Sequence, residues 1–194
     1  MTVGLYFGSF NPIHVGHLIL AESVRRRAKL DRVWFVVSPQ NPFKDKASLA
    51  PATDRLAMVE RAIEGNPGLD ATNIEFSLPQ PSYTIVTLRA LAAQHPGYRF
   101  CLLLGADSLA SLPKWKEAEA ILSGYDLYVY PRLGTEVPPE LLARPNVHWV
   151  AAPVLELSAT SIRARLALGE SVRYEVTQPV LDYIHYYGLY GAKG

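Results

Sequence analysis

Apolar and polar positions switch between two periods along the chain, and the switches mark its elements. A short apolar run at residues 3–7 reads as a buried strand. Residues 15–30 read as a helix, with Leu18, Ala21, Val24 and Ala28 on one face and Glu22, Arg25, Arg26 and Lys29 on another. The run RVWFVV at 32–37 is a second strand, followed by a Pro-interrupted loop at 38–52. Thr53 or Asp54 is placed to cap a helix reaching about residue 64. Further strands are expected at 73–78, 99–104, 127–130 and 147–151, and helices at 84–94, 115–122, 161–168 and 179–187. In the last of these Val180, Tyr183, Ile184 and Tyr187 share a face, Pro179 sits in the first turn and Gly188 ends it.

Strands separated by helix-length segments predict an α/β fold, a mainly parallel sheet with helices on both faces. In such sheets ligands bind beyond the carboxyl ends of the strands. The length of 194 residues suits one domain, with no repeat, low-complexity tract or linker to divide it. A hydrophobic content of 49% excludes a disordered chain. With 19 Lys+Arg against 18 Asp+Glu, charge gives no reason to expect a nucleic acid or an anionic membrane as partner. The single cysteine, Cys101, the lack of a signal-peptide pattern and the lack of an apolar run near ~18 residues lead to the expectation of a cytoplasmic protein. The run Arg25-Arg26-Arg27 is read as a solvated helix face, supported by an i,i+4 pair from Glu22 to Arg26.

The most informative stretch is GSFNPIHVGH, residues 8–17, where the first strand hands over to the first helix. Gly8 and Pro12 suit a tight turn, and the helix N-terminus offers amide N–H groups to an anion such as phosphate. His14 and His17 are three apart, so both rings can point to that place, and Gly16 between them leaves room. A histidine pair also suits a metal, but His95, His148 and His185 lie in unrelated segments and supply no further ligands. A second stretch, LSATSIR at 157–163, opens a late helix that Ser158 or Thr160 could cap. Arg163 is expected in its first turn, where a cation opposes the helix dipole unless an anion binds there. A third, Gly105-Ala106-Asp107, ends a strand. Asp107 is read either as a ribose contact or as a helix cap, and Trp115 beyond it either as core or as a platform for a flat ring.

These stretches carry a resemblance. GSFNPIHVGH is similar to the HxGH signature of the nucleotidyltransferase superfamily, with Asn11 where Asp is usual, and SATSIR resembles its second signature, ISSTxIR. GADSLASLPKW, the NPFK loop at 41–44, the SYT motif at 82–84 and the closing Leu-Tyr at 189–190 are similar to segments of bacterial nicotinate-nucleotide adenylyltransferases. Val86 stands where that family often has Asp. The resemblance implies a Rossmann-like nucleotidyltransferase domain over residues 1–194, its C-terminal helices at about 158–190 carrying the second phosphate signature. It implies adenylyl transfer from ATP to nicotinate mononucleotide, giving nicotinate adenine dinucleotide and pyrophosphate in NAD synthesis.

By the same resemblance His14, His17 and Arg163 are catalytic. The ATP contacts are then Gly8, Ser9, Phe10, His14, Gly16, His17, Gly105, Asp107, Ser161, Ile162 and Arg163. Ser9, Asn11, Lys44, Tyr83, Thr84 and Trp115 meet the mononucleotide. Mg²⁺ is expected with ATP, held mostly by phosphate oxygens and water, because no carboxylate cluster offers a protein cage. Acceptors left open are nicotinamide mononucleotide and phosphopantetheine, and a catalytically inert nucleotide-binding protein is the reading from another class. The oligomeric state stays open, a homo-oligomer included.

Overall fold

The computed structural model describes residues 1–39 and 49–192. Among them six strands form one parallel sheet in the order β3-β2-β1-β4-β5-β6. They are β1 (Thr2–Gly8), β2 (Arg32–Val37), β3 (Leu69–Thr72), β4 (Arg99–Gly105), β5 (Leu127–Tyr130) and β6 (Val147–Trp149). Strand order reverses between β1 and β4, the switch point at which doubly wound sheets open a crevice beyond their carboxyl ends. Register places Gly8 beside Val37 and Leu5 beside Leu102.

Residues of one strand serve two cores. Cys101 and Leu103 of β4 face α1 (Val15–Arg27), α2 (Ala52–Ile63), α7 (Ala159–Ala167) and α8 (Gln178–Tyr186). Phe100, Leu102 and Leu104 face α3 (Thr84–Gln94), α4 (Ala106–Ser111), α5 (Ala118–Gly124) and α6 (Pro139–Leu142). Burial on both faces is why the central strands read as continuous apolar runs rather than alternating ones.

Several elements differ from the sequence expectation. The strand expected at 73–78 is β3, four residues earlier, pairing Leu69–Thr72 with Val33 to Val36. The apolar Ile74 and Phe76 behind that expectation belong to a 3-10 turn, Ile74–Ser77, whose side chains reach opposite cores. The helix expected at 115–122 is preceded by α4 and a 3-10 turn, Leu112–Lys114, and starts only after Glu117, which adopts φ +51°. In α1 the buried side is Leu20, Ala21 and Val24, with Leu18 half-buried, and Arg25 pairs with Glu22 at 2.8 Å instead of Arg26. Tyr187 lies beyond the end of α8 and is 55% exposed, while Val180, Tyr183 and Ile184 are buried as the pattern requires.

The C-terminal segment returns to the switch point. The Val15 N–H donates to the Glu175 carbonyl at 2.8 Å, and the Tyr183 phenol donates to Asp54 at 2.8 Å. Both contacts hold the late helices against α1 and α2, on the side of the sheet where the first motif lies.

Candidate active site

The turn after β1 is built around an aromatic ring. Phe10 adopts φ +46° and is buried, edge-on to Tyr6, His17 and Phe35 at centroid distances of 5.7, 5.1 and 5.3 Å. A Cβ on Gly8 would lie 2.6 Å from Phe10 Cζ, so Gly8 makes room for that ring rather than supplying a left-handed turn. The next peptide, Asn11-Pro12, is cis. His14 is the N-cap of α1, and its N–H donates to Nδ1 of His17 at 3.3 Å. With Nδ1 accepting, the neutral His17 ring carries its proton on Nε2. The two imidazoles stack with centroids 3.7 Å apart and planes at 24°. A Cβ on Gly16 would approach His14 Nδ1 to 3.0 Å, so Gly16 is what admits the His14 ring. Burial, and then the nearby Arg132 charge, push the His14 pKa down to about 4, which leaves it neutral at pH 7.

The second motif meets the first directly. Ser158 caps α7 through Oγ, which accepts the Ser161 N–H at 3.5 Å. The helix begins at Ala159, so Arg163 lies past the first turn, and it reaches back to donate to the Asn11 carbonyl at 2.8 Å. Asn11 Oδ1 accepts from the Ala50 N–H at 3.0 Å and from the Tyr190 phenol at 2.8 Å. The closing Leu-Tyr thus contributes a half-buried tie to the first motif. Ile162 points into the core and Ser161 is exposed; neither lines the cavity described next.

Two cavities share the walls Tyr6, Phe7, Gly8, Ser108 and Tyr130 at the switch point. The larger, about 870 Å³, is bordered by Ser9, Phe10, Asn11, His14, Gly16, His17, Asp107 and Arg163. The smaller, about 180 Å³, is bordered by Tyr83, Thr84, Gly105 and Trp115. Asp107 sits in the first turn of α4, where the dipole favours an anion, and does not cap it; the N-cap is Gly105. Trp115 is half-buried, packed against the second core on one side and open to the smaller cavity on the other. Lys44 lies outside the described residues. Val86, in the first turn of α3, packs against the second core, which accounts for an apolar residue there.

Four further residues shape the site without having been singled out by motif. Arg132, just past β5, borders the larger cavity, stands 3.8 Å from Asp107 and lies over the Tyr130 ring at 5.4 Å. Its Nε is buried with no hydrogen-bond partner among the described residues. The only signal for it was position, an arginine at the carboxyl end of a strand. Arg55 of α2, 1% exposed, donates to the carbonyls of Ser9 (2.6 Å), Ser38 (2.8 Å), Pro39 (3.0 Å) and Ala50 (2.9 Å). It clamps the ends of β1 and β2 to the segment entering α2. Tyr6 completes the set, its phenol 3.2 Å from that of Tyr130, and Glu75 of the 3-10 turn borders the smaller cavity.

A parallel sheet of this order, with a histidine pair at a helix N-terminus on its switch point and two arginines bordering the same cavity, defines a Rossmann-like nucleotidyltransferase. The cytidylyltransferase-like family model matches residues 5–165. The chain is 48% identical over 193 residues to the "Probable nicotinate-nucleotide adenylyltransferase" of Cytophaga hutchinsonii, covering 98% of this chain and all of that protein. It is 43% identical over 191 residues to the protein of the same name from Flavobacterium johnsoniae, covering 98% and 99% of the two. The fold is similar to that of a Plasmodium falciparum nicotinic acid mononucleotide adenylyltransferase complexed with NaAD. The TM-score is 0.83 at 20% identity, over 99% of this chain and 98% of that one. The chain therefore belongs to the cytidylyltransferase-like family and, within it, to the nicotinate-nucleotide adenylyltransferases.

Proposed function

We propose that this chain transfers the adenylyl group of ATP to nicotinate mononucleotide, forming nicotinate adenine dinucleotide and pyrophosphate for NAD synthesis. The observation that carries this reading is the pair of adjoining cavities. One is lined by His14, His17, Arg132 and Arg163 and suits a triphosphate; the other is bordered by Trp115 and the start of α3 and suits a flat ring.

An acceptor phosphate oxygen attacks the α-phosphorus as the bond to the β-phosphate oxygen breaks. The nucleophile is already anionic, so the chain's task is positioning and charge stabilisation. His17 donates from Nε2 and His14 from a neutral ring, both at the α1 N-terminus, to charge developing on the α-phosphoryl oxygens. Arg163 and Arg132 hold the β and γ end and the departing pyrophosphate. Asp107 takes the ATP ribose, and Trp115 the pyridine ring. Mg²⁺ would enter with the ATP substrate, held mostly by phosphate oxygens and water; among the described residues Asp107 is the carboxylate that borders the larger cavity. None of the described helices is long and apolar enough to cross a membrane. The one thiol, Cys101, is buried with its pKa pushed up to about 12, which leaves it unreactive.

The test is pyrophosphate release from Mg-ATP with nicotinate mononucleotide, nicotinamide mononucleotide and phosphopantetheine in parallel. Preferential turnover of the nicotinate form is expected. Turnover of phosphopantetheine alone overturns the acceptor assignment, and ATP binding without release from any acceptor overturns the enzyme assignment.

A further inference from the structure

The smaller cavity contains a carboxyl group that the reaction leaves unexplained. Glu75 is 1% exposed, yet it borders the cavity together with Trp115 and Thr84. Its Oε1 is hydrogen-bonded to the Thr87 hydroxyl at 2.7 Å, which ties it to α3. Its Oε2 is buried and makes no hydrogen bond of good geometry to any described residue, although the Ser38 and Ser82 hydroxyls stand near enough to stabilise the ionised carboxyl. A buried polar atom left without a partner costs on the order of 1–3 kcal/mol, and more for a charged group. A ligand that completes it recovers that cost. The same cavity receives the N-terminus of α3 at Tyr83 and Thr84, a favourable place for an anionic substituent on a flat ring.

We propose that Glu75 is a specificity-determining residue of the acceptor cavity: Oε2 meets the ring substituent, and its proton decides between an anionic and a neutral one. Protonated, the carboxyl donates to a ring carboxylate; ionised, it repels that carboxylate and accepts from a carboxamide. Burial pushes the Glu75 pKa up, against the opposing pull of the Thr87, Ser38 and Ser82 hydroxyls. The other titratable groups bordering the cavity are Tyr6, Tyr83, Tyr130, Lys114 and Lys116, and Arg55 stands behind Ser38 on its carbonyl. Lys116 is engaged over the Tyr83 ring at 4.7 Å. Tyr6 and Tyr130 are themselves raised by burial, so neither loses its proton before Glu75 does.

The inference rests on the proposed reaction, and one experiment separates the two. The kcat/KM values for nicotinate and nicotinamide mononucleotides are measured on the full-length protein from pH 5.5 to 8.5, for wild type and Glu75→Gln. Both acceptors carry the same phosphate and ribose, so their ratio cancels the phosphate's own titration. The wild-type ratio, nicotinate over nicotinamide, is expected to fall about tenfold or more as pH rises. Glu75→Gln, a neutral donor of the same shape, is expected to hold the ratio nearly flat while the KM for ATP stays within about twofold. A wild-type ratio that does not change with pH overturns the assignment, and this measurement requires no variant. A pH-dependent ratio that persists unchanged in Glu75→Gln overturns it as well. A purely structural role would lower both acceptors together and leave the ratio alone. Loss of turnover with both acceptors in wild type overturns the reaction itself.

Discussion

The main-chain N–H of His14 donates to Nδ1 of His17 at 3.3 Å, and the two rings stack 3.7 Å apart. One contact fixes both the orientation and the tautomer of His17, because a nitrogen that accepts from the backbone cannot also carry the proton of a neutral ring. His17→Ala therefore removes an aligned donor at the α-phosphoryl position. The expected effect is a fall in kcat of roughly 10²–10³-fold, with the KM for the mononucleotide little changed. Steady-state pyrophosphate release decides it, and activity within a few-fold of wild type removes His17 from this role.

Trp115 stands between a core and a cavity, and its substitution distinguishes the two surfaces. Trp115→Ala is expected to raise the KM for the mononucleotide roughly tenfold and leave that for ATP unchanged, since stacking acts on the ring and not on the triphosphate. If thermal unfolding shifts while the acceptor KM does not, the tryptophan serves the core alone.

The neutral state of His14 has a consequence for acid stability. Its folded pKa is about 4, below the ordinary histidine value of 6.5. Between those values the unfolded chain takes up a proton that the folded chain refuses, so stability is lost as pH falls from about 6.5 towards 4. The shift corresponds to a loss of about 3 kcal/mol across the window. Glu75, raised instead of lowered, acts with the opposite sign, its folded form favouring the proton. Urea unfolding at pH 7 and pH 4.5 separates the two by comparison with His14→Asn, which is expected to lose markedly less stability on acidification. Equal losses in the two proteins refute the depressed pKa.

Motif and periodicity made much of this legible, and the gaps have physical causes. The long central strands and α3 stood out because both faces of the sheet are buried and helical faces repeat. β3 did not, because LDAT is short and half polar, and pairing with β2 rather than side-chain pattern makes it a strand. Arg55 was invisible for a similar reason. Its four carbonyl partners come from three segments that only tertiary structure brings together, and an arginine in an amphipathic helix otherwise reads as solvated. The histidines and Arg163 were legible as types at a spacing. That Arg163 binds Asn11, 152 residues earlier in the chain, was not.

Arg132 couples two observables that a surface arginine would leave independent. It borders the triphosphate cavity with an Nε that makes no hydrogen bond among the described residues, and its charge is one of the causes depressing the His14 pKa. Arg132→Leu takes away a cation from the cavity and at the same time relieves His14 of a like charge. The KM for ATP is therefore expected to rise roughly tenfold. The His14 ring, followed by NMR titration, is expected to titrate at a higher pH than in wild type, while burial still holds it below the ordinary histidine value. Opening the site to water would by itself also raise the His14 pKa, because burial is the larger cause of its depression. Arg132→Lys, which keeps the cation and loses the guanidinium, therefore discriminates: it is expected to hold the His14 pKa nearer the wild-type value than Arg132→Leu does. A higher KM for ATP with His14 unmoved in Arg132→Leu, or moved equally by both substitutions, places Arg132 in the wall of the cavity, whereas a shift that the lysine reverses places its charge beside His14 at the phosphates.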